Sequence, residues 1–170
     1  MPIRLIITGG TVGKKYHELT GELDFNESHI DEMLRQGRHS APIEITPLLL
    51  KDSLEMTAAD RDKVASACLT AAEERIVITH GTDTMVETAQ LLAKTPHLAD
   101  KTIVLTGAMI PYSFGVTSDG LFNLGSAIAF AQTLTPGVYV AMNGQYFTSD
   151  NVRKDRAHGT FVALKNPTEA

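Results

Sequence analysis

The sequence predicts an α/β fold of three layers, a doubly wound, mostly parallel sheet with flanking helices. Short apolar runs rich in β-branched residues recur along the chain, and stretches with helical spacing lie between them. The runs are continuous rather than alternating, which marks strands buried on both faces. The first run, Ile3 to Thr8, stops at Gly9-Gly10, the sign of a buried strand and a sharp turn. Others follow at Ile43–Leu50, Arg75–Thr79, Thr102–Thr106 and Gly137–Met142. Between them, helical spacing joins Ile30, Met33 and Leu34; Val64, Ala67, Cys68 and Ala71; Val86, Ala89 and Leu92; and Leu121, Leu124, Ala127, Ile128 and Ala131. Thr57 with Asp60 approaches a capping box, Ser118-Asp119 starts the last helix, and Pro96 closes the third. Asn143–Gly159 is polar without a clear period and is expected to be a long loop, while the tail past Leu164 is expected to fray.

A length of 170 residues fits one domain with one hydrophobic core. With 43% hydrophobic and 21% charged residues and a mean hydropathy near zero, a disordered or fibrous chain is excluded. Fifteen basic residues against twenty acidic ones give a net charge of −5, which repels a phosphate backbone, so no nucleic-acid partner is expected. The single cysteine, Cys68, sits in helix-like sequence as a core filler and cannot form an intrachain disulfide, which fits a reducing compartment. The apolar stretch after Met1 is too short for a signal peptide, and no run reaches the roughly 18 residues of a membrane helix. A soluble, cytoplasmic protein with no membrane contact is expected.

In an open parallel sheet ligands bind beyond the carboxyl ends of the strands, so the segments after each strand are the first candidates for a site. Three of them share a vocabulary: Thr8-Gly9-Gly10-Thr11, Thr79-His80-Gly81-Thr82-Asp83-Thr84, and Thr106-Gly107-Ala108-Met109. Each offers a threonine at the strand end and a glycine that lets backbone approach a ligand. Gly9-Gly10 also serves a plain turn, and Thr82-Asp83 a plain helix N-cap. The stretch Gly9–Lys15 is one residue short of a P-loop, lacks the hydroxyl residue after the lysine, and does not match G-x-G-x-x-G. His80 is open to a role as base or metal ligand. The six histidines show no paired metal-binding spacing, so no metal is expected, and no G-x-S-x-G elbow is present.

Thr8-Gly9-Gly10-Thr11, then Ile78 to Met85 with Glu87-Thr88-Ala89, then Leu105 to Met109 with Pro111, resemble the bacterial-type L-asparaginase family in order and in spacing, with agreement reaching to about Lys154. The resemblance implies that 1–170 is a single domain like the family's larger N-terminal domain, with the smaller C-terminal domain absent. It implies an amidohydrolase that converts L-asparagine to L-aspartate and ammonia without a cofactor. It makes Thr11 the first catalytic threonine with Tyr16 as its helper, and Thr82 the second, with Asp83 beside it and Lys154 activating it. Ser53, with neighbouring Asp52, matches the segment that holds the substrate α-carboxylate; Gly10, Gly81 and Ala108 line the substrate. Leu54 stands where many members carry a glutamine. A homo-oligomer, dimer or tetramer, is also implied.

The chemistry of these residue types agrees. A threonine hydroxyl is a poor nucleophile until a neighbouring base takes its proton, and tyrosine or an amine can do so in a partly desolvated site. A zwitterionic substrate needs a carboxylate for its ammonium and donors for its carboxylate, which Asp83 and Ser53 supply. Either an acyl-threonine intermediate or direct water attack satisfies the pattern, with backbone N–H groups of the Gly10–Thr11 or Gly81–Thr82 turn stabilising the oxyanion. Competing possibilities are a non-catalytic amino-acid-binding domain and a subunit of an amidotransferase or amidase assembly. For Tyr16 the plain alternative is a packed loop aromatic, and for Lys154 a solvated charge.

Overall fold

The computed structural model describes residues 1–10, 15, 16, 19, 23, 24 and 29–165, with positions 15, 16, 23 and 24 described by backbone only. In chain order the elements are β1 (Ile3–Gly9), β2 (Lys15–Tyr16), β3 (Leu23–Asp24), α1 (Ile30–Gln36), β4 (Ile43–Lys51), α2 (Ala58–Thr70), β5 (Arg75–Thr79), α3 (Met85–Lys94), β6 (Thr102–Thr106), α4 (Gly120–Thr133), β7 (Gly137–Met142), β8 (Gln145–Thr148), β9 (Arg153–Asp155) and β10 (Thr160–Val162). A six-stranded sheet in the order β4-β1-β5-β6-β7-β8 forms the middle layer, with β4 to β7 parallel and β8 antiparallel at the edge.

The predicted architecture is present, and side-chain alternation explains its layering. Ile6, Ile76, Ile78, Ile103 and Leu105 point to one face, where they pack with Val64 and Cys68 of α2 and Met85, Ala89 and Leu92 of α3. Ile3, Leu5, Ile7, Val77 and Val104 point to the other, against Ile30, Met33 and Leu34 of α1 and Leu124, Ala127 and Ala131 of α4. Strands loaded on both faces read as continuous apolar runs, which is why the sequence shows no alternation in them. Cys68 is fully buried, and burial pushes its thiol up to about 12, an inert core residue as expected. At α2, Thr57 and Asp60 form a complete capping box.

The expected loop over Asn143–Gly159 is corrected. Asn143 (φ 57°) and Gly144 (φ 75°) make a two-residue turn that folds β8 back on β7, with Met142 paired to Gln145. Both central residues are left-handed, the geometry of a type I′ hairpin. β9 and β10 then pair as a second small hairpin. Its position is fixed by Phe161, buried in the core, and by Asn143, whose Oδ1 accepts from the Thr160 hydroxyl (2.9 Å) and the Phe161 amide (3.2 Å). Lys154 lies opposite Phe161 in this hairpin, so a core anchor sets where the lysine stands.

Candidate active site

From β1 the chain goes outward to β4 on one side, then returns past β1 to β5 and onward through β6 and β7. The carboxyl ends of β1 and β5 therefore flank the topological switch point, where doubly wound sheets bind ligands. Gly9-Gly10 and His80–Asp83 are the segments that leave those two ends.

These segments lie in direct contact. Gly10 (φ 83°) donates its N–H to the Lys51 carbonyl (3.1 Å), and a Cβ on Gly10 would fall 2.7 Å from the Gly81 Cα. A Cβ on Gly81 would in turn fall 2.6 Å from Ser53 Oγ, and one on Gly107 would strike the His80 carbonyl. Only glycine permits this closeness. The Thr8 hydroxyl donates to the Thr79 carbonyl (2.8 Å), which ties the two strand ends together. Ser53 is buried, and its Oγ takes no hydrogen bond among the described residues. Asp52 caps the short 3₁₀ turn Ser53–Glu55 through the Leu54 amide (3.1 Å). Leu54 itself is 69% exposed.

Thr82 and Asp83 stand in the turn ahead of α3, which begins only at Met85, and neither caps it. Their partners come instead from β9 and the turn after it. Lys154 Nζ donates to Thr82 Oγ1 (2.8 Å) and to Asp83 Oδ1 (2.9 Å). The Arg156 guanidinium also donates to Asp83 Oδ1, and to the Asp83 carbonyl at 3.4 Å. The Lys154 ammonium first, and the Arg156 guanidinium after it, hold the Asp83 carboxyl below the usual carboxylate range, while partial burial pulls the other way. The Lys154 side chain is 11% exposed, so hydroxyl, amine and carboxylate meet where little water competes.

His80 has both ring nitrogens engaged within the fold. It is wholly buried, and burial pulls its pKa down to about 4. The Gly81 carbonyl can only accept, so Nδ1 carries the proton (2.8 Å) and Nε2 accepts from the Thr88 hydroxyl (2.8 Å). Arg61 Nε donates to the same Thr88 oxygen (3.2 Å). Both ring nitrogens are therefore committed to shaping the Gly81 turn. Among the described residues no group of three His, Cys, Asp or Glu side chains could hold a metal ion.

The loop after β6 is positioned by residues that the sequence did not single out for this. Asp119, expected only as a helix start, turns its carboxylate back to accept from the Met109 (3.0 Å) and Ile110 (3.0 Å) amides. Asn123, one turn later and fully buried, donates to the Gly107 carbonyl (2.9 Å) and accepts from the Asn143 amide (3.1 Å). Asn123 and Asn143 thus link the Gly107 turn to the hairpin that carries Lys154. Ala108 is wholly buried against the α4 side of the core, which leaves only its backbone for a ligand. Thr82, Asp83, Lys154, Ser53, Asp52, Gly10 and Gly81 are thus brought to the carboxyl ends of β1, β4 and β5. Thr11 and the side chain of Tyr16 lie outside the described residues. Arg156 was missed, because its tie to Asp83 spans 73 residues and the hairpin that carries it was expected to be a loop.

Fold and site together define a doubly wound α/β protein with a threonine, lysine and aspartate cluster at its switch point. The family model described as asparaginase, N-terminal, matches residues 2–169. The L-asparaginase of Thermococcus kodakarensis is 31% identical over 98% of this chain and 52% of its own length. The solved structure of the thermostable L-asparaginase from that organism aligns with a TM-score of 0.86 at 30% identity, again over 98% and 52% of the two chains. L-asparaginase 1 of Escherichia coli K12 is 30% identical over 97% of this chain and 50% of its own. L-asparaginase I from Vibrio cholerae aligns with a TM-score of 0.84 at 27% identity, over 98% and 52%. The chain belongs to the asparaginase family. It spans about half the length of these relatives.

Proposed function

We propose that this chain is an amidohydrolase that converts L-asparagine to L-aspartate and ammonia. The observation that carries this is the single amine of Lys154, placed 2.8 Å from the Thr82 hydroxyl and 2.9 Å from the Asp83 carboxylate. Once neutral, that amine takes the Thr82 proton; either the Thr82 oxygen attacks the side-chain amide carbon, ammonia leaves with the proton and water then hydrolyses the acyl-threonine to aspartate and free Thr82, or a water activated by the Thr82 oxygen attacks directly and ammonia leaves with the proton. Asp83 is the carboxylate for the substrate ammonium. The unpartnered Ser53 hydroxyl is the donor for its α-carboxylate, a role supported by its burial without a hydrogen bond among the described residues. Thr11 with Tyr16, matched by motif alone, is the first catalytic threonine and its helper, beside Thr82 as the second. Gly10, Gly81, Asp52 and Ala108 shape the substrate bed, and side chains and water suffice for the chemistry, without a cofactor.

We further propose that residues 1–170 make one asparaginase N-terminal-like unit, that it works as a homo-oligomer, and that it resides in the cytoplasm, in keeping with its lone, buried cysteine. No helix among the described residues is long and apolar enough to cross a membrane. Ammonia release from L-asparagine by the purified chain, with light scattering for its mass, tests the proposal. Ammonia release is expected. A folded chain that binds asparagine and releases none would instead be a binding domain.

A further inference from the structure

Asp83 carries one negative charge and meets two positive ones. Lys154 Nζ and the Arg156 guanidinium converge on the same oxygen, Oδ1, and Arg156 also reaches the Asp83 carbonyl. The two cations are held differently. Lys154 is 11% exposed, shared with Thr82, and backed by the Phe161 anchor across the hairpin. Arg156 is 64% exposed and, among the described residues, is bonded to Asp83 alone. An α-ammonium would bring a third positive charge to a carboxylate whose charge is already offset, and the partner most easily displaced is the exposed one.

We propose that Arg156 is a specificity-determining residue that competes with the substrate ammonium for Asp83, and so shifts preference toward ω-amides lacking an α-ammonium, of the succinamate type. The inference rests on the asparagine-binding role of Asp83 proposed above. Exposed ion pairs are weak, so displacing Arg156 costs a small factor rather than abolishing binding. Asp83 and Lys154 remain in place when it leaves, so the effect falls on affinity and not on the proton-transfer set.

Calorimetric binding of L-aspartate and succinate to the whole chain and to Arg156→Ala tests this without turnover. The two ligands differ in the ammonium group. Aspartate is expected to bind about two- to five-fold tighter to the variant, the size of one exposed ion pair, while succinate binds unchanged or more weakly. Kinetics with asparagine should show the same factor in KM with kcat within about two-fold, and Arg156→Lys should behave like the parent. Weaker aspartate binding in the variant, equal changes for both ligands, or no aspartate binding by either chain would overturn the proposal. If the aspartate and succinate difference appears but neither amide is hydrolysed, the competition stands and the hydrolytic function falls.

Discussion

Glu73, at the amino ends of the strands, and Asp83, at their carboxyl ends, are both carboxylates set among cations, yet they are held in opposite ways. Glu73 is 8% exposed and takes Arg4 bidentately, one oxygen from Nε and the other from Nη2, each at 2.9 Å. Arg4 also reaches Thr46, and Lys101 donates to the Glu73 and Ala71 carbonyls, so β1, β4 and the entries to β5 and β6 are knotted together. Asp83 accepts both of its cations on Oδ1, and Oδ2 takes no hydrogen bond among the described residues. A carboxylate clamped on both oxygens holds a fold, whereas one gripped at a single oxygen, partly by a cation as exposed as Arg156, can exchange that cation for a ligand.

The largest expected effect is at the Asp83 end. Thr82→Ala should lower kcat for asparagine by about 10²–10⁴-fold and leave the thermal midpoint nearly unchanged, since the hydroxyl is bonded to Lys154 alone among the described residues. A variant with parental kcat would make Thr82 a structural residue. Lys154→Arg should be almost as damaging as Lys154→Ala, because a guanidinium stays charged and cannot take a proton. Parental kcat in the arginine variant would mean that positive charge alone suffices.

At the Glu73 end the effect moves to stability. Arg4→Met should cost about 1–3 kcal/mol, read in urea, and spare kcat, because Glu73 loses both of its arginine bonds. His80 joins the two regimes through pH. Its folded pKa of about 4 lies below the 6.5 of an unfolded histidine, so protonation favours the unfolded chain. Stability should be full well above pH 6.5 and fall by about 1 kcal/mol by pH 5.5, and below that the depressed carboxylates Glu73 and Asp83, protonating in the unfolded chain, add to the loss. A flat urea midpoint between pH 7 and 5.5 would place His80 in contact with water. The smallest effect belongs to Leu54: glutamine should be turned over about ten-fold or more below asparagine, and Leu54→Gln should narrow that gap only partly, since the side chain is largely exposed. Equal kcat/KM for the two amides in the parent would overturn it.

The parallel strands and the helices were legible because each must be apolar in a pattern that only its own geometry uses. The β8 edge strand was not, although Asn143-Gly144 between Gly137–Met142 and Gln145–Thr148 is a strong hairpin signal; the polar residues around it hid the one buried side chain, Phe147. The grouping of the candidate residues was legible where motif and strand end coincide, as at Thr82, Asp83 and Ser53. Asp119, Asn123 and Arg156 escaped because their work is done across 9 to 73 residues of chain, through side-chain bonds that no local pattern encodes.

The backbone contact between Gly10 and Gly81, with Ser53 pressed on the far side of Gly81, also bears on how such a protein can evolve. Three strand-end loops meet along a seam with no room for even a methyl group, and Gly10 is left-handed besides. Small adjustments at this seam are therefore closed to natural variation, because every single-residue change at either glycine parts the loops. In a library that varies every position, these two columns should stand almost empty after selection, while neighbouring Leu54 fills with nearly everything.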